Sequence, residues 1–114
     1  MSPDARNNEI FTLAQELPEL SVELQKLLKE AGEPALAASV PQLPIVDRCR
    51  CGDDFCATFY VQAKPEGVWG TEHESIPLDP EQGMIIVDVL KNRIACIEVL
   101  DRDAVRQKLL ALFP

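Results

Sequence analysis

Apolar residues recur at alternating three- and four-residue steps through the first third of the chain: Ile10, Leu13, Leu17, Leu20, Leu24, Leu27 and Ala31. That period gathers them on one side of an α-helix. Pro18 falls inside the pattern, where its ring clashes with the preceding turn and it has no N–H to donate. The stripe therefore predicts either one kinked helix or two helices meeting near Leu17. Gly32 ends the second piece, and Pro34 opens a short helix over 35–39 that Pro41 and Pro44 close. The spacing also fits a heptad seam, but a stripe of about three heptads broken by a proline suits a helix packed on a sheet better. Monomer and homodimer both stay open.

From Ile45 the pattern changes to β-branched and aromatic residues. Segments 45–51 and 55–63 read as two strands joined by Gly52-Asp53-Asp54, residues suited to a tight reversal. Lys64-Pro65-Glu66-Gly67 is a further turn, and the stretch 68–76 is either a loop or a short strand ending at Pro77. Asp79-Pro80-Glu81-Gln82-Gly83 is a loop. Met84–Leu90 and 94–100 form the clearest hairpin, turning at Lys91-Asn92. A two-residue turn there places Val87 opposite Cys96 and Ile86 opposite Ile97. Both faces are then largely apolar, which predicts a central pair covered on both sides, with Cys96 in the core. Asp101 or Asp103 is positioned to cap a last helix whose Val105, Leu109, Leu112 and Phe113 share a face.

The order is α+β: N-terminal helices, a four- to five-stranded mostly antiparallel meander, and a C-terminal helix. One domain is expected, with a flexible end at 1–8, helices over 9–40, sheet over 44–100 and helix over 101–113. At 114 residues the chain is long enough to bury a core without staples. Its 46% apolar and 26% charged residues are an ordinary globular balance.

Charge narrows the partners. Nineteen acidic residues against eleven basic give a net charge of −8, which disfavours nucleic-acid backbones and would steer a basic protein partner. No apolar run is long enough for a membrane helix, and no basic-then-apolar leader opens the chain. These features suggest a cytoplasmic protein with reduced thiols.

The chemistry-bearing segment is Cys49-Arg50-Cys51-Gly52-Asp53-Asp54-Phe55-Cys56. On a strand, Cys49 and Cys51 would share a face, with Cys56 across the turn. Together with His73, the single histidine, they offer a Cys3His set that suits zinc. The one-residue gap between the first two cysteines is shorter than in common zinc sites. A disulfide or redox role is a second option, since Cys51 and Cys56 flank a turn. The familiar redox motif, however, spaces its cysteines by two residues, and Asp53 and Asp54 oppose thiolate formation. The third option is that the thiols are small buried hydrophobes. No phosphate-binding glycine loop, nucleophile elbow or His-Glu-x-x-His motif is present. Trp69 sits between Gly67 and Gly70, where it can lie on a surface and anchor a partner.

The stretch from Arg48 to Tyr60, with Gly83-Met84-Ile85-Ile86-Val87-Asp88-Val89 and Ile97-Glu98-Val99-Leu100-Asp101-Arg102, resembles small bacterial proteins of uncharacterised function. The resemblance covers about half of the chain. It implies a bacterial cytosolic protein and brings no activity with it. The first reading is thus a non-enzymatic binding or regulatory domain, without a cofactor, acting on a protein partner through Trp69, Asp53 and Asp54. Alternatives are a zinc-stabilised module built on the cysteines, an acidic immunity-type inhibitor of a basic toxin, and a thiol-dependent redox protein.

Overall fold

The computed structural model describes residues 10–63 and 72–114. The expected flexible end, the Lys64–Gly67 turn and Trp69 lie outside the described residues. Among those described, the architecture is α+β, with helices first, a five-stranded antiparallel sheet, and a C-terminal helix. No described helix is long and apolar enough to cross a membrane.

The chain enters as a short strand, β1 (Phe11–Thr12), rather than as helix. Thr12 has extended backbone and its hydroxyl accepts the Gln15 N–H at 3.4 Å, so it caps α1 (Leu13–Glu16) and keeps the residues before it extended. Ile10, the first position of the helical stripe, is accordingly exposed. Pro18 separates two helices. It takes the first position of α2 (Pro18–Glu30), where its missing N–H costs nothing, and Leu17 between the helices is non-helical. Leu13, Leu17, Leu20, Leu24 and Leu27 are buried as the stripe requires, whereas Ala31 is exposed. Gly32 adopts φ +82° and ends α2, with its N–H on the Lys29 carbonyl at 3.1 Å and the Glu33 N–H on the Leu28 carbonyl at 2.8 Å. Then follow α3 (Pro34–Ser39), a 3-10 turn (Val40–Gln42) and β2 (Pro44–Ile45), which pairs with β1.

Sheet order is β3-β4-β7-β6-β5, from β3 (Asp47–Arg48), β4 (Phe59–Tyr60), β5 (His73–Pro77), β6 (Met84–Leu90) and β7 (Arg93–Leu100). The last three strands form a meander, and the chain leaving β4 passes to the far edge before β5. The β6–β7 pair is interior, as its hydrophobicity predicts. Lys91 and Asn92 make the two-residue turn, both at positive φ (53° and 65°).

The register differs from the expected one. A bulge between Asp88 and Val89 leaves Ala95 as the extra residue on β7, so Asp88 meets Cys96, Val87 meets Ile97 and Ile86 meets Glu98. Nor are both faces of the pair apolar. Ile85, Val87, Ile97 and Val99 join the helical leucines, Val105 and Leu109 in one core. The opposite face carries Asp88, Cys96 and Glu98. Cys96 is buried as expected, but on this polar face and outside that core.

Neither Asp101 nor Asp103 caps α4 (Asp103–Leu112) through its side chain. Asp101 instead takes positive φ, and Asp103 lies within the first turn, where its charge complements the helix dipole. Arg102, the residue before α4, ties three segments together. Its guanidinium grips Glu23 of α2 through both carboxylate oxygens at 2.8 and 2.7 Å, and also donates to the Gln82 carbonyl. At the other end of α4, Phe113 packs edge-on against Phe11 with centroids 5.6 Å apart.

Candidate metal centre

Both strands predicted around the cysteines are shorter than expected. The first ends at Arg48 and the second is assigned only at Phe59–Tyr60, so all three thiols sit on the intervening stretch 49–58. Side chains pull the backbone out of the ladder. Arg48 donates to the Phe113 carbonyl and, at 3.3 Å, to the Cys49 carbonyl; Arg50 pairs with Asp47 at 3.0 Å. Gly52 adopts φ +87°, which reverses the chain after Cys51, and the Cys56 N–H closes a turn onto the Asp53 carbonyl at 3.3 Å.

Two ends of this loop are anchored. The Cys49 N–H donates to the Thr58 carbonyl at 2.8 Å. On the other side, Cys56 bridges Leu100, the Ala57 N–H reaches the Val99 carbonyl at 2.8 Å, and Asp101 N–H reaches the Phe55 carbonyl at 2.9 Å. The Val99 N–H turns to the Thr58 hydroxyl at 3.1 Å. Cys49 and Cys56 are thus held by the sheet, while Cys51 is exposed at the reversal.

The outcome is a thiol trio. The sulfurs of Cys49, Cys51 and Cys56 all lie within 4.8 Å of one another. This cluster can bind a metal ion. With metal–thiolate bonds of about 2.3 Å, three sulfurs around one ion stand roughly 3.8–4.0 Å apart, so a side-chain adjustment of under about 1 Å closes the site. The shared face expected for a strand is not what joins Cys49 and Cys51; the reversal at Gly52 is.

The thiols are not equivalent. Burial pushes Cys49 up to about 11. Burial acts on Cys56 in the same direction, but hydrogen bonds from the Thr58 hydroxyl and N–H, then from the Cys51 and Cys49 thiols, outweigh it and hold Cys56 below its usual value. Cys56 therefore becomes a thiolate before Cys49 does. Thr58 is the residue that sequence reasoning missed here; a β-branched hydroxyl two positions from a cysteine was the available signal.

His73 does not join the trio. It lies on β5, and its Nε2 is 3.1 Å from Asp88 Oδ1. The Ser75 hydroxyl donates to the same oxygen at 2.8 Å. Asp88 is buried, so one carboxyl oxygen joins the β5 imidazole and hydroxyl to β6. Glu98 meets this acceptor too: its hydrogen bond to Asp88, then burial and the Asp88 charge, raise it to about 7, against a smaller opposing effect of His73. Burial drives the Cys96 thiol far up and keeps it protonated.

These groups border one hollow of about 410 Å³ together with two of the trio, Cys49 and Cys56; among the described residues its lining includes Asp53, Tyr60, His73, Asp88, Cys96 and Glu98. Asp53 and Asp54 are exposed. The expected partner anchor Trp69 lies outside the described residues, so its relation to Asp53 and Asp54 is not described either. No protein-family model matches this chain, and no curated protein or solved structure matches it significantly.

Proposed function

We propose that the chain is a small domain that binds a soft metal ion through Cys49, Cys51 and Cys56, and that it acts as a binding protein rather than as an enzyme. One observation carries the reading: three thiol sulfurs within 4.8 Å of one another, two of them fixed by hydrogen bonds to the sheet. Thiolates are soft donors that select zinc, copper(I) and iron–sulfur chemistry over magnesium or calcium. Cys56, held below its usual value, gives up its proton to a metal more readily than Cys49. Arg48 beside Cys49 and Arg106 beside the loop offset negative charge that accumulates as the thiols lose their protons.

Metal analysis of the reduced, loaded protein tests this directly. One equivalent of a soft ion per chain is expected, lost on chelation and absent from Cys49→Ser. Chelation should also lower thermal stability, since metal bound to the folded chain alone adds to it. A reduced protein with native circular dichroism that retains no zinc or copper(I) after desalting ends the proposal.

A further inference from the structure

We infer that the trio is a trigonal three-thiolate site selecting copper(I), and not part of a four-coordinate zinc site. The inference rests on the soft-metal reading and concerns which ion that site takes. Zinc in structural sites is almost always tetrahedral and needs a fourth donor. The chain has four cysteines and one histidine, so every thiol and imidazole can be located. Cys96 faces Asp88 from within the sheet. His73 is hydrogen-bonded to Asp88 from β5. Among the described residues, no fourth Cys, His, Asp or Glu atom joins the three sulfurs, although Cys96, His73, Asp53, Asp88 and Glu98 line the adjoining hollow. What remains outside the described residues adds no thiol or imidazole; besides the Met1 thioether it contributes the carboxylates of Asp4, Glu9 and Glu66. These are hard donors that match a soft ion poorly.

Three thiolates suffice for copper(I), a filled-shell monovalent ion that accepts trigonal sulfur coordination. Binding exchanges thiol protons for the ion, and no electron moves. Cys49 and Cys56 form the fixed edge of the triangle, and exposed Cys51 closes it from solvent. An ion can therefore enter at Cys51 without opening the fold.

Displacement of zinc by copper(I) is not decisive, because thiolates in general bind copper(I) more tightly. Coordination number is. Reduced full-length protein is loaded anaerobically with copper(I) as its acetonitrile complex, and affinity is read by competition with a chromogenic copper(I) chelator. X-ray absorption then counts the ligands. The expected result is one copper per chain with three sulfur neighbours and no nitrogen. Cys49→Ser, Cys51→Ser and Cys56→Ser should each weaken binding at least a hundredfold with unchanged circular dichroism, while His73→Ala and Cys96→Ser change it less than twofold. Nitrogen coordination, or a loss of tenfold or more in His73→Ala, overturns the trigonal site while leaving the soft-metal reading standing. So does a zinc-loaded form whose affinity depends on His73. If neither copper(I) nor zinc binds at one equivalent, both readings fall together.

Discussion

The β6–β7 hairpin reverses in two residues, Lys91 and Asn92, while β3 and β4 are separated by the whole of 49–58. In the first, backbone pairing runs from Met84↔Leu100 to Leu90↔Arg93, and Ile85, Val87, Ile97 and Val99 deliver one face to the core. In the second, only two residue pairs are laddered, and side chains take over: Arg48 and Arg50 at one end, Thr58 at the other. The contrast separates two ways of shaping a chain. Burial of alternating apolar residues makes a hairpin stable and regular. Polar side chains that compete for backbone groups open a hairpin into a loop, and the loop is where the thiols converge.

Core substitutions should break the first hairpin most severely. Ile97 is fully buried against the helices, so Ile97→Ala should cost about 2–4 kcal/mol in urea denaturation. Ile86 lies on the other face, only partly buried, and Ile86→Ala should cost under about 1.5 kcal/mol. Equal losses at the two positions contradict a core confined to one face.

A smaller effect should come from the polar face itself. The Glu98 carboxyl is raised from 4.5 to about 7 in the folded protein. Folding therefore takes up a proton between those values, and stability from this group is full below the unfolded value and declines as pH rises toward 7. Glu98→Gln supplies a permanent donor to Asp88 and removes that decline. His73, Tyr60, Ser75 and Cys96 face the same hollow and stay unchanged. The variant should gain on the parent by roughly 1 kcal/mol between pH 5 and pH 8, after discounting for solvent screening of a partly exposed carboxyl. A difference between the two that does not vary with pH shows that Glu98 holds no proton there.

Much of this was legible in the chain. The bounds of β6 and the leucine stripe follow from periodicity, and Gly32 and Pro34 from their backbone restrictions. The bulge was not, because Ile94-Ala95-Cys96-Ile97 is apolar throughout and alternation carries no phase there. A hint existed in the acids. In an unbulged ladder Asp88 and Glu98 fall on opposite faces, which would push one carboxylate into the helix-side core. The extra residue Ala95 brings both to the polar side. At the cysteines, sequence proximity showed that the thiols would be near one another. The short strands were hidden because long-range partners decide them: Arg48 reaches Phe113, and Leu100 meets Cys56.

The smallest stability effect should fall where the functional effect is greatest. Cys51 is exposed and contributes nothing to the core, so Cys51→Ser should change the stability of the reduced, metal-free protein by less than about 0.5 kcal/mol. Metal turns the same substitution into a visible one. With free ion at about a hundred times its dissociation constant, the parent should gain about 2.7 kcal/mol, because the ion binds the folded chain alone. The variant, lacking the third sulfur, should gain little under the same conditions. Paired urea titrations with and without metal read both quantities. A large loss in the metal-free variant would place Cys51 among the structural residues and erase the distinction between the two hairpins. Equal stabilisation of parent and variant by metal would remove Cys51 from the site.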